Sequence, residues 1–103
     1  MLKPVANFES TSYHGHDIRT TPNQLIKLAE KYDIEYDFNN TGEDKTNLDI
    51  EFMTKDGVVF TVYDWKEYKP LFMDVNYDFH IGAKSSYNAM KAQGELRKEL
   101  INL

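Results

Sequence analysis

The sequence predicts an α+β fold: a mainly antiparallel sheet of four to six strands with two helices packed on one face, formed by residues 1–103 as a single domain. Three observations predict it. Two segments, after Thr21-Pro22 and after Ser85-Ser86, place apolar residues at helical spacing behind capping residues. Several others alternate apolar and polar side chains with a period of two. One Asp-Gly pair, Asp56-Gly57, joins two such runs, which is a strong short-range hairpin signal.

The elements follow in order. Val5 to Phe8 is expected as a short strand. Tyr13-His14-Gly15-His16 reads as a turn, with Gly15 free to take positive φ, and Asp17 to Arg19 as a returning strand. In Thr21-Pro22-Asn23-Gln24, Thr is the N-cap, Pro takes the first helical position and Gln stands three residues after the cap. Leu25, Ile26, Leu28, Ala29 and Tyr32 form the apolar stripe, so a helix is expected from Pro22 to Tyr32. Ile34, Tyr36 and Phe38 alternate with acids as a strand, and Asn39-Asn40-Thr41-Gly42 is a turn.

Leu48, Ile50 and Phe52 alternate with Asp49, Glu51 and Met53; Val58 to Trp65 follows the turn. If Asp56-Gly57 is a two-residue loop, Phe52 faces Thr61, Ile50 faces Tyr63 and Leu48 faces Trp65, all on one side. Val75, Tyr77, Phe79 and Ile81 alternate as another strand. Ser85 or Ser86 can cap a last helix that carries Ala89, Met90, Gln93, Leu96 and Leu100 near one face. Gly94 inside it costs roughly 1 kcal/mol relative to Ala, so a close packing partner or a bend is expected there.

Composition excludes several classes. With 41% apolar and 14% aromatic residues the chain is not wholly disordered. No apolar run approaches the roughly 20 residues that span a bilayer, so no membrane partner is expected. There is no cysteine, which removes thiolate nucleophiles and Cys-ligated zinc. The N-terminal stretch lacks the apolar run of about 7–15 residues of a signal peptide, and a cytoplasmic location is expected. Between Asp33 and Asp56 eight acids face two bases, a net of −6, whereas Lys84 to Leu103 carries +2. That acidic middle repels phosphate backbones, so direct duplex nucleic acid is not an expected partner. Its other readings are solubility or a face that docks on a basic protein.

Tyr63-Asp64-Trp65-Lys66-Glu67-Tyr68-Lys69 is the densest patch of candidate chemistry. Rings can stack a base, ammoniums can hold phosphate, and carboxylates can accept from a base edge. Aromatics at strand spacing are usually core, and on that reading Tyr63 and Trp65 lie on the inner face and Tyr68 and Lys66 are the better candidates. Lys45, in Gly42-Glu43-Asp44-Lys45, can pair with its acidic neighbours or reach a phosphate. His80 sits opposite Tyr77 and Phe79 on its strand and, with Gly82 near, can present an imidazole to a ligand or serve structure. The candidate ligand-binding residues are therefore Lys45, Tyr63, Trp65, Lys66, Tyr68 and His80. His14-Gly15-His16-Asp17 resembles a metal cluster, but zinc needs a third ligand from afar; no metal and no cofactor are expected. No G-x-S-x-G, P-loop or G-x-G-x-x-G is present, Ser85 and Ser86 read as caps, and no enzymatic activity is expected.

Gly42-Glu43-Asp44-Lys45, the run from Asp56-Gly57 through Phe60-Thr61-Val62-Tyr63-Asp64-Trp65-Lys66-Glu67-Tyr68, and His80-Ile81-Gly82 together resemble a family of small accessory proteins of bacteriophages. The similarity covers the chain from the first helix to the last and brings no site residue with it. It implies a context in which such proteins counter host defence, in the host cytoplasm. The expectation is a non-catalytic protein that binds and sequesters a nucleotide signal. The alternative is an acidic inhibitor that docks on a basic, nucleic-acid-binding surface of a host defence protein. A homo-oligomer is expected, because a small domain gains a deep pocket most readily by pairing.

Overall fold

A computed structural model describes residues 1–7 and 9–103. Eight elements follow in the order β1 (Leu2–Lys3), β2 (Ser12–Thr20), α1 (Pro22–Lys31), β3 (Tyr36–Phe38), β4 (Leu48–Thr54), β5 (Val59–Tyr63), β6 (Tyr77–Ala83) and α2 (Ser86–Ile101). The architecture is α+β, with six antiparallel strands and two helices. The strands run β1-β4-β5-β6-β2, and β3 lies beside β4 on the edge it shares with β1.

The caps act as the sequence predicts. Thr21 accepts the Gln24 N–H at 3.1 Å, and Ser85, not Ser86, accepts the Asn88 N–H at 3.1 Å. Each satisfies one of the donors a helix start leaves without an intrahelical partner. Helix α1 ends one residue early because Tyr32 caps it and Asp33 turns the chain at φ +56.

Two elements differ near the N-terminus. The first strand is Leu2–Lys3, paired to the end of β4; residues 5–7 lie in no strand, and Phe8 falls outside the described residues. The expected turn at Tyr13–His16 lies inside the nine-residue strand β2. Gly15 takes φ +84 there, and the pairing with β6 shifts register between Tyr13 and Asp17. A glycine at positive φ makes a bulge as readily as a turn, and pairing to β6 carries the strand through it.

The central hairpin is shifted by one residue from the expected pairing. Thr54 N–H donates to the Val58 carbonyl at 2.9 Å around a three-residue loop, Lys55-Asp56-Gly57, with Gly57 at φ +90. Phe52 therefore faces Phe60, and Ile50 faces Val62. A slip of one residue exchanges the two faces of a strand. Phe60 and Val62 enter the core, the Phe52 and Phe60 rings lie 5.4 Å apart, and Thr61 and Tyr63 turn outward. The core joins Leu48, Ile50, Phe52, Phe60, Val62, Phe79 and Ile81 from the sheet to Leu25, Leu28, Ala89, Ala92 and Leu96 from the helices. Burial of two phenylalanines and one valine on that face favours the three-residue loop over the two-residue one.

Among the described residues Gly94 has no packing partner: it is exposed, and a Cβ placed there meets nothing within 4 Å. Gly94→Ala is expected to stabilise the chain by roughly 1 kcal/mol and to raise Tm by about 4–8 °C in a thermal melt. An unchanged or lower Tm would show that the backbone at Gly94 needs glycine.

Candidate functional site: the open sheet face and the Trp65 loop

Helices cover only one side of the sheet. On the other side, strand register places Asp37, Asp49, Tyr63, His80 and Asp17 in one row across five strands. The adjacent row is Glu51, Thr61, Gly82 and Tyr13. Side chains in such rows are direct neighbours, and here they form an aromatic chain. Tyr13 stacks on His80 with ring centres 3.9 Å apart and planes 13° apart. Tyr63 meets His80 edge-on at 5.5 Å, and Trp65 meets Tyr63 edge-on at 6.0 Å. The Tyr13 hydroxyl donates to Asp17 Oδ1 at 2.9 Å, and this bond, with burial and the carboxylate's charge, raises the phenol's pKa. Burial, then the charges of Asp49 and Asp17, raises that of Tyr63. Gly82 makes room beneath the rings: a Cβ there would stand 2.5 Å from Thr61 Oγ1 and 3.4 Å from Tyr63 Cε1.

Beyond β5 the backbone is held by a buried polar clasp. Asp64 Oδ1 accepts the N–H groups of Asn47 and Leu48 at 2.8 and 2.9 Å, and its Oδ2 accepts Asn47 Nδ2 at 3.0 Å. The same Nδ2 donates to the Lys69 carbonyl at 3.0 Å, and Asn47 Oδ1 accepts the Gly42 N–H at 2.9 Å. Asn40 bonds both the N–H and the carbonyl of Leu71. Gly42 packs against this second loop so closely that a Cβ would fall 2.5 Å from Lys69 Cα. Two loops, 39–47 and 64–71, are thereby locked together. Within the second, Lys66 and Tyr68 hold φ of +54 and +52. A left-handed backbone costs a non-glycine residue roughly 1–2 kcal/mol, and it persists only where the surroundings enforce it.

The clasp sets Trp65 at the rim, 43% exposed, with Lys45 Nζ 5.8 Å and Lys66 Nζ 5.5 Å from the indole ring centre. The Lys66 N–H donates to the Lys45 carbonyl at 2.8 Å and ties the two cation-bearing segments. Lys45 also lines an open groove of about 630 Å³ with Asp37, Phe38, Asn39, Asp44 and Asn47. The arrangement offers ring faces, two ammoniums and carboxylate acceptors, the groups that bind an anionic, ring-bearing ligand.

Of the six residues the sequence singles out, Lys45, Trp65 and Lys66 converge, and Tyr63 and His80 continue from them through ring contacts. Tyr68 is exposed on the same loop and makes no aromatic or cation–π contact with the group. The inner-face reading of Tyr63 and Trp65 is overturned: the shifted hairpin register turns Tyr63 to the open face, and Trp65 lies on the loop beyond it. Tyr13 and Asp17 join the face in a role the sequence does not mark: it offers Asp17 only beside His14 and His16 and Tyr13 only in a turn, and pairing of β2 with β6 is what brings both beside His80.

His14 and His16 are drawn to different partners. His14 Nε2 lies 3.2 Å from the Ala83 carbonyl, and His16 Nε2 lies 3.2 Å from Ser86 Oγ. Among the described residues no group of three or more His, Asp or Glu side chains is arranged to hold a metal ion. Nor is any helix there long and apolar enough to cross a membrane.

A second, acidic feature lies at the β3–β4 edge. Glu35, Tyr36, Asp37, Asp49 and Glu51 line a groove of about 230 Å³. Asp49 Oδ1 is buried there without a hydrogen-bond partner among the described residues. Burial, followed by the charges of Glu51, Asp37 and Asp64, pushes the Asp49 carboxyl up to about 6.

No protein-family model, curated protein or solved structure matches this chain.

Proposed function

We propose that this chain is a non-catalytic binding protein that holds and sequesters a nucleotide signal on the Trp65 loop and the open sheet face beside it. One observation carries the reading. An exposed indole has two ammoniums within 6 Å of its ring centre, on a loop that a buried clasp holds in left-handed backbone. A base stacks on the ring, and its phosphates meet Lys45 and Lys66. The adjoining groove of about 630 Å³ is within the size range of small-molecule sites. Rigid loops bind with less ordering cost than mobile ones, so the strain in Lys66 and Tyr68 has a use. The likeness to phage accessory proteins supplies the setting: removal of a signal by a protein made in stoichiometric amounts needs no turnover.

Trp65 is the chain's one tryptophan and therefore its own reporter. The chain is titrated with cyclic dinucleotides, cyclic trinucleotides and ADP-ribose derivatives, read by indole fluorescence and by calorimetry. One class is expected to quench the fluorescence and release heat. Trp65→Ala should then weaken its binding about 5- to 150-fold, the cost of ~1–3 kcal/mol for a lost stacking contact. Lys45→Ala and Lys66→Ala should flatten the salt dependence. No heat and no fluorescence change across the panel overturns the reading.

A further inference from the structure

Helix α2 buries Ala89, Ala92 and Leu96 and turns its opposite side to solvent. Tyr87, Met90 and Ile101 are exposed there by 64%, 54% and 84%. With Gly94 and Arg97 between them, the positions 87, 90, 94, 97 and 101 alternate steps of three and four and so lie along one face. Lys91, Arg97 and Lys98 are exposed and make no ion pair among the described residues. The helix's own acids are engaged elsewhere. Glu99 is buried and accepts the Tyr32 hydroxyl, and Glu95 binds the Met1 amine. The outer face is therefore apolar and basic, and at Gly94 there is open space for a close approach.

Its complement is on the same molecule. The β3–β4 groove gathers Glu35, Asp37, Asp49 and Glu51, and none of them pairs with a cation among the described residues. Asp49 Oδ1 has no hydrogen-bond partner among the described residues. The groove lies at one edge of the sheet, whereas α2 packs mainly on β2 and β6 at the other. One copy cannot bring the two together.

We propose that two copies of this chain associate head to tail, the outer face of α2 of one copy docking on the acidic β3–β4 groove of the next. Lysine and arginine heads enter the groove, and Tyr87, Met90 and Ile101 cover its rim. Because the two surfaces differ, the contact is heterologous and builds rings or short chains rather than a two-fold dimer. The proposal does not rest on nucleotide binding, although Asp37 lines both grooves.

Sedimentation velocity of the full chain at concentrations up to about 1 mM, at low and high salt, tests it. The wild-type chain is expected to associate at low salt and to do so at least about tenfold more weakly at high salt. Two surface double variants follow, each first checked for an unchanged thermal melt: Lys91→Glu with Lys98→Glu, and Asp37→Lys with Glu51→Lys. Each alone should be monomeric. Mixed in equal amounts they should associate, because the second variant keeps a basic helix for the first one's acidic groove, and the reversed pair is complementary as well. A monomeric wild-type chain, variants that associate like it, or a mixture that stays monomeric overturns the proposal.

Discussion

Asp64→Ala is expected to destabilise the chain by ~3–5 kcal/mol, read as a lowered midpoint in urea. The carboxylate is 2% exposed and accepts three N–H groups from Asn47 and Leu48. Truncation leaves those donors without a partner, and each buried orphan costs about 1–3 kcal/mol before water relaxes into the gap. Set against a total stability of roughly 5–15 kcal/mol, the loss is a large share. The same change loosens loop 64–71 against loop 39–47, leaving the Asn40–Leu71, Asn47–Lys69 and Lys66–Lys45 bonds between them, so the Lys45 and Lys66 ammoniums are held less firmly near Trp65. A blue or red shift of the indole emission in the folded variant reports that release. A loss under about 1 kcal/mol would show that Asp64 is not the clasp.

Asp49→Asn is expected to act in the opposite direction. The folded carboxyl titrates at about 6 against an ordinary 3.8, because burial and the charges of Glu51, Asp37 and Asp64 disfavour its ionised form. The folded state thus binds the proton more tightly than the unfolded state. Its stabilising contribution is fully present below about pH 4 and is lost as the pH rises through about 6. The shift corresponds to ~3 kcal/mol at most, and part exposure of the group to solvent screens this to ~1–2 kcal/mol. The neutral isostere should therefore be more stable than the wild-type chain by ~1–2 kcal/mol at pH 7 and equal to it near pH 4, with urea midpoints compared at the two pH values. Equal midpoints at both would place no ionisation penalty on Asp49.

Much of the fold is legible along the chain. The order of elements from α1 to α2, the cap at Thr21, a serine cap at Ser85 or Ser86, and the strands β4, β5 and β6 all follow from local pattern. Each rests on forces acting within a few residues: capping bonds, the 3.6 and 2.0 periods, and the turn preference of glycine. The segment Tyr63 to Tyr68 is also marked by its own composition, as a dense run of rings, ammoniums and acids.

What each of those groups faces is a different matter. The hairpin register turns on whether the loop holds two residues or three, and Asp56-Gly57 suits both. Burial of Phe60 and Val62 in a common core decides it, and that core draws on both helices. The decision sends Tyr63 to the open face. Tyr13 and Asp17 reach His80 only because β2, far earlier in the chain, closes the sheet against β6. Lys45 reaches Trp65 through the Asp64–Asn47 clasp and the Lys66–Lys45 backbone bond; the clasp's members stand 17 residues apart and look like ordinary polar loop residues. The sequence by itself determined the elements and the chemical groups on offer, because those depend on short-range preferences. Tertiary structure alone decided which groups share a face, because strand register and loop docking are settled by burial and hydrogen bonding between residues distant in the chain.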